Sequence, residues 1–262
     1  MKLGIIGSPN KESFKYAKQK GLDFLEFTLN IGYDLDNQFF NKLDEIKDYI
    51  NKYNVLVGSI GRWGTDKISS KGEIIKEELE ISKKLIDACE FLNCPVFVCG
   101  VNYVKEISFY QNCSLAIEFL TELVNYAKQK NVKVATYNCR WNNFIYSEET
   151  WKIIHGHIDD LGIKYDPSHS IYDNGDYLKE ARDWGKRFYH VHIKGSLMID
   201  RQRFDDPPAG LDITNWGAFL SILYAYNYKG GLSIEPHSQN WHGELGEKGV
   251  DFTIRFFKNL IL

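Results

Sequence analysis

The sequence has no CxxC pair and no dense run of basic residues, and no apolar stretch approaches the roughly 18 residues a membrane span needs. Each absence removes a class. The cysteines, Cys89, Cys94, Cys99, Cys113 and Cys139, are odd in number; they read as reduced thiols, mostly buried small hydrophobes, and not as a disulfide frame or a zinc knuckle. A net charge of -3 argues against nucleic acid as the partner, because phosphate binding usually leaves a basic face. The amino terminus, "MKLGIIGSPNKE", is too short in apolar residues for a signal peptide. A cytoplasmic protein with no membrane or nucleic-acid partner is expected. No GxGxxG or P-loop pattern follows the first apolar run, so a nucleotide fold has little support.

What is present is a regular alternation. With 262 residues, 44% hydrophobic and 26% charged, the chain suits one globular domain spanning 1–262. Eight apolar runs of strand length are spaced along it: 2–8, 24–28, 54–60, 95–100, 132–137, 162–166, 188–193 and 232–235. Between them lie segments of helical periodicity, carried by Leu43, Ile46 and Ile50; by Ile81, Leu85, Ala88 and Leu92; by Leu120, Val124 and Ala127; and by Trp216, Phe219, Leu220 and Leu223. One helix is expected from about Lys71 to Leu92 and the last from about Gly249 to Leu262. Eight strand–helix units with continuous apolar strands predict an α/β protein, a single-domain (β/α)8 TIM barrel.

In such a barrel, chemistry stands at the carboxyl ends of the strands. The fifth strand ends in Tyr137 and Asn138, the sixth in Asp166 with His169 beyond, the seventh in His192 with Lys194 following, and the eighth in Glu235 with His237. Carboxylates and imidazoles converging from separate strands are what a divalent ion such as Mn²⁺, Mg²⁺, Co²⁺ or Zn²⁺ requires. In "YDPSHS" Pro167 biases Asp166 towards extended geometry, and no helix is expected to begin there; Glu235 before Pro236 repeats the pattern. Period two puts His190 and His192 on one side of their strand. His192, nearer the mouth, is the better ligand, and the deeper His190 reads as a core histidine. A metal shared by Asp166, His192 and Glu235 would offset the cost of burying the carboxylates, as would a salt bridge from Lys194 or Arg203.

The segments "YDPSHS", "HVHIKG" and "GGLSIEPHS", with "LDITNWGAFLSILYAYNYKGG" between the last two and "GLDFLEFTLN" on the second strand, resemble the xylose isomerase-like superfamily of sugar isomerases and epimerases, which also includes apurinic-site endonucleases. The resemblance implies a TIM barrel with one divalent metal, with Asp166, His192 and Glu235 on ligand positions and His169 at a position that contacts substrate or metal. One departure stands out. Family epimerases end strand five with a glutamate that is both ligand and proton-transfer base, and here Tyr137 occupies that place. The extra histidines of the endonuclease branch are not found after the second, third or seventh strands.

These residues point to a metal-dependent isomerase or epimerase acting on a sugar or polyol-derived ketone through an enediolate. Glu235 is the first candidate base, with His169 or His237 as alternatives and Lys194 as partner to the developing oxyanion. Arg62, at the end of the third strand, is a candidate substrate contact, as are Asn138, Tyr137 and His237. Trp63, Trp141, Trp216 and Trp241 suit sugar stacking, although Trp216 lies on a helix and reads as packing. The long connection 196–212 has the length of a lid. The alternatives are a metal-dependent lyase or hydrolase of an oxidised sugar or glycoside and a non-catalytic sugar-binding barrel. The expected partner is a small-molecule sugar, and a homo-oligomer is compatible with all of these readings.

Overall fold

A computed structural model describes all 262 residues. Eight parallel strands close into a barrel: β1 (Lys2–Ile6), β2 (Phe24–Thr28), β3 (Leu56–Arg62), β4 (Val96–Cys99), β5 (Lys133–Tyr137), β6 (Gly162–Tyr165), β7 (Phe188–Ile193) and β10 (Gly231–Ile234). The ring runs β1-β10-β7-β6-β5-β4-β3-β2, and β1 pairs with β2 to shut it. The predicted strands are thus the strands of the TIM barrel, displaced by one or two residues at their ends. A short antiparallel hairpin, β8 (Leu197–Ile199) with β9 (Gln202–Asp205), stands outside the ring on the connection read as a lid. Its turn holds Asp200 and Arg201 at φ of 49° and 61°, the left-handed pair that a two-residue turn of matching twist demands.

The helices are α1 (Lys11–Lys20), α2 (Leu35–Gln38), α3 (Leu43–Tyr53), α4 (Lys76–Leu92), α5 (Phe109–Lys128), α6 (Glu148–His157), α7 (Pro167–Tyr172), α8 (Tyr177–Trp184), α9 (Trp216–Ala225) and α10 (Gly243–Leu260). Two begin where periodicity did not place them. Residues from Lys71 do not start α4, because Ile68 and Ile74 form an antiparallel bridge around Gly72, whose φ is +73°. The last helix starts six residues before Gly249. Its early glycines hid it, yet Gly249 is where a Cβ would lie 2.5 Å from Pro208, so the small residue permits the close contact.

The outward faces of the strands and the inward faces of the helices form the main core of 57 buried residues. The barrel interior is layered. At the bottom the Phe24 ring fills the axis, and Gly4, Gly58 and Gly231 leave it room: a Cβ at any of them would approach the ring to 2.7 Å or less. His190 sits edge-on to that ring at 5.8 Å. On the β4–β5 side, Trp63, Val96, Val98, Ala135 and Tyr137 make a separate apolar cluster. The polar site lies above these layers.

Candidate active site

Period-two geometry brings Lys164 and Asp166 to the same side of their strand and its end, and does the same for His190, His192 and Lys194. The donor atoms of Asp166, His192 and Glu235 all lie within 4.8 Å of one another. His192 Nδ1 is 3.0 Å from Glu235 Oε2 and 4.0 Å from Asp166 Oδ2. The sequence-predicted triad is therefore brought together at one point.

Asp166 is positioned from three directions. Asn138 holds its backbone on both sides: the Asn138 amide donates to Asp166 O at 2.9 Å, and the Asp166 N–H donates to Asn138 Oδ1 at 2.9 Å. Asp166 Oδ1 accepts from Ser168 N at 2.9 Å and caps α7. The expectation that no helix starts at Pro167 is overturned, because proline at the first helical position has no amide to leave unpaired and brings its φ already set. Asp166 itself is extended, at φ −131° and ψ 110°. Its Oδ2 is buried without a hydrogen-bond partner; Lys194 Nζ stands 3.2 Å away as an ion pair and 3.5 Å from Glu235 Oε2.

Sequence reasoning missed Glu26. This wholly buried carboxylate accepts from His190 Nε2 at 2.7 Å and His192 Nε2 at 2.8 Å. Burial alone pushes Glu26 up, but the His192 and His190 imidazoles outweigh it and hold the carboxyl well below its ordinary range. Burial likewise works against a charged His192, and Glu26 and Glu235 overcome it, so His192 is raised. His190 is held low by burial, with Glu26 offsetting only part of the effect. Glu26 thus anchors both imidazoles of β7 through their Nε2 atoms. The signal was available: a lone carboxylate at the middle of "FLEFT" needs a buried partner, and the two histidines of β7 are the candidates.

The electrostatics of the mouth follow from Lys194. Burial raises Asp166 and Glu235, yet Lys194 holds both well below the usual carboxylate range, with His192 assisting at Glu235 and Lys164 at both. Lys194 in turn is lifted above its ordinary value by these two carboxylates against burial. His169 is lowered to about 4, chiefly by burial with Lys194 and Lys164 adding, although Asp166 at 3.4 Å pulls the other way. It stands in the mouth as a neutral imidazole, able to accept a proton.

A pocket of about 700 Å³ opens over these groups, with His169, His192, Lys194, Glu235 and His237 on its wall beside Trp63 and Trp141. The wall residues that were not foreseen include Lys164, and Asn30, whose Oδ1 is buried without a partner. Arg203 of the hairpin also reaches the pocket, and Asp206 joins it to His237: Arg203 Nε donates to Asp206 Oδ1 at 3.0 Å and His237 Nδ1 to Oδ2 at 2.6 Å.

Three expected substrate contacts are elsewhere. Arg62 is tied to Glu78 at 2.9 Å and to the carbonyls of Leu29 and Asn30, in a buried network shared with Lys67. Asn138 is used up on the Asp166 backbone. Tyr137 is 1% exposed, stacks on Trp63 at 5.3 Å, and donates its hydroxyl to Trp141 O at 2.9 Å. Burial raises its phenol, and it supports the pocket from behind. Trp216 is buried packing, as its helix position predicted; Trp241 lines a separate small cleft behind Glu235.

The donor set fits a divalent ion by its own chemistry: two ionised carboxylates and one imidazole nitrogen converge, Asp166 Oδ2 has no hydrogen-bond donor, and Glu26 orients His192 through its other nitrogen as metal-bound histidines require. Barrel and site together define a (β/α)8 protein with a candidate metal-ligand cluster at the mouth of its barrel. The chain belongs to the xylose isomerase-like TIM barrel family, whose model matches residues 14–260. It is 22% identical to the uncharacterized protein YfiH of Bacillus subtilis (strain 168), with 91% of each chain covered. Among solved structures it is similar to D-allulose 3-epimerase from Methylomonas sp., at 17% identity and a TM-score of 0.78 over 100% of this chain and 98% of that one. It is also similar to the 3-keto-D-glucoside 4-epimerase YcjR from E. coli, at 17% identity and a TM-score of 0.77 over 99% of both. No helix is long and apolar enough to cross a membrane.

Proposed function

We propose that the protein is a divalent-metal-dependent isomerase or epimerase acting on a small sugar or polyol-derived ketone, with no nucleic acid or membrane as partner. The observation that carries this reading is the convergence of Asp166, His192 and Glu235, the last two lining an open pocket and Asp166 buried beside them, with Glu26 fixing His192 from behind. Asp166, His192 and Glu235 would hold the ion, which when bound polarises a substrate carbonyl and acidifies the neighbouring C–H. Glu235, kept ionised, and His169, kept neutral, are the two groups of the wall able to take or return that proton. Lys194 supplies a fixed positive charge for oxygen that becomes negative. Trp63 and Trp141 offer apolar faces to a sugar ring. The epimerases among the similar folds support the same reaction class, as does the family.

A second reading, elimination from an oxidised sugar, is favoured by one observation: the fifth strand offers no base, since Tyr137 lies behind Trp63 with its phenol raised by burial. The test incubates the protein with a ketose panel and Mn²⁺, Mg²⁺, Co²⁺ or Zn²⁺ in D2O and follows C–H exchange by NMR. Exchange that is lost with a chelator and with His192→Ala supports isomerase chemistry. Formation of an unsaturated product turns the assignment to the lyase, and neither outcome with any metal removes both.

A further inference from the structure

The pocket wall is dominated by basic side chains. Lys164, Lys194, Arg203, His169, His192 and His237 all face it, and Glu235 is the one carboxylate among the lining residues. The remaining acids are already engaged: Asp206 by Arg203 and His237, Glu26 by the two β7 histidines, and Asp166 by Lys194.

Lys164 is the exception in this arrangement. It pairs in register with Tyr137 on one side and His190 on the other, is only 2% exposed, and points into the barrel mouth. Unlike Lys194 and Arg203 its ammonium has no carboxylate within 4.0 Å, and it stands 6.0 Å from the centre of the Trp63 ring, the outer limit of a cation–π contact. Asp166 and Glu235 feel this charge only from beyond contact distance, so no acid of the chain pairs with Lys164 directly and its ammonium is left to take a further negative group from the pocket. A pocket with converging cations also raises the local concentration of anions.

We infer that the substrate is anionic: a ketone-bearing sugar or polyol that also carries a carboxylate or phosphate, with Lys164 as the residue pairing with that group. The inference rests on the isomerase reading for its ketone and on the pocket wall for its charge. Calorimetric titration of the purified full-length protein, with Mg²⁺ and separately with chelator, compares D-fructuronate, D-fructose 6-phosphate and D-fructose. At least one anion binds tenfold or more tightly than fructose, and the tighter of the two identifies the carboxylate or the phosphate as the group recognised. Lys164→Met lowers that anion's affinity at least tenfold and leaves fructose within about twofold; Lys164→Arg, which restores the charge, keeps most of the preference and controls for a methionine variant that folds poorly.

Fructose binding as tightly as both anions, no binding of either anion at millimolar concentration, or equal weakening of all three by Lys164→Met overturns the inference. Solvent deuterium exchange into the same ligands separates the two proposals. Anion preference without exchange supports the anionic site and counts against the isomerase reading, whereas exchange into fructose without anion preference does the reverse.

Discussion

Replacing Glu26 by Gln is the sharpest perturbation of this site, because it keeps the shape and removes the charge. In the folded chain Glu26 accepts two short bonds, 2.7 Å from His190 and 2.8 Å from His192, with no water access. Hydrogen bonds to charged groups contribute about 1.5–3 kcal/mol each and a neutral one about 1 kcal/mol. Exchanging two of the first kind for one of the second costs about 2–5 kcal/mol. For a chain of this size each kcal/mol moves the melting temperature by about 2–4 °C, so calorimetry at neutral pH should show a fall of about 4–20 °C. The pH dependence separates the partners. Glu26 is depressed, so its contribution is complete above the unfolded carboxyl value near 4.3 and fades as pH falls through the lower folded value. His192 is raised, so its contribution is complete below about 6.5 and fades as pH rises through the higher folded value. Glu26→Gln should flatten both limbs, and divalent-ion affinity should fall about 10- to 100-fold as His192 loses its orienting partner. A variant within 1 kcal/mol of wild type, with both limbs intact and metal affinity unchanged, refutes the account of Glu26 as the ionised anchor.

Two further outcomes follow from the same geometry. Lys194→Met removes an ammonium 3.2 Å from Asp166 Oδ2 and 3.5 Å from Glu235 Oε2, so titration should show divalent ions binding at least tenfold more tightly; weaker binding would mean that the lysine supports the ion instead of competing with it. Tyr137→Phe deletes one hydroxyl bonded to the Trp141 carbonyl and should cost about 1 kcal/mol with metal affinity unchanged; a many-fold loss of metal would place the phenol at the ion.

The eight-strand order was legible because strands buried on both faces read as unbroken apolar runs, and the ligand trio because the ends of those runs carried its residues. Arg62 shows the limit. A strand-end position says which pole a side chain occupies, but Glu78, sixteen residues on and on the outer helix α4, captures the guanidinium. Tyr137 ends the fifth strand as read, yet the stacking partner that turns it from the mouth, Trp63, follows the end of β3, 74 residues earlier in the chain. Glu26 and Lys164 sat in plain view within "FLEFT" and "GIKY". Both are polar residues inside otherwise apolar strands, and only pairing across the barrel reveals what each one faces.

Asp166 has its two oxygens committed to different tasks, Oδ1 to the first turn of α7 and Oδ2 to the converging donors of the mouth. The helix it caps carries His169, so the same carboxylate that would grip the ion also sets the aim of the imidazole reaching over it. Loss of this side chain by mutation would therefore not yield a well-formed pocket that merely lacks metal. Asparagine could still cap the helix and leave His169 in place with a weakened ligand, whereas alanine would loosen both, so the route by which this barrel could lose its chemistry while keeping its shape is narrow at position 166.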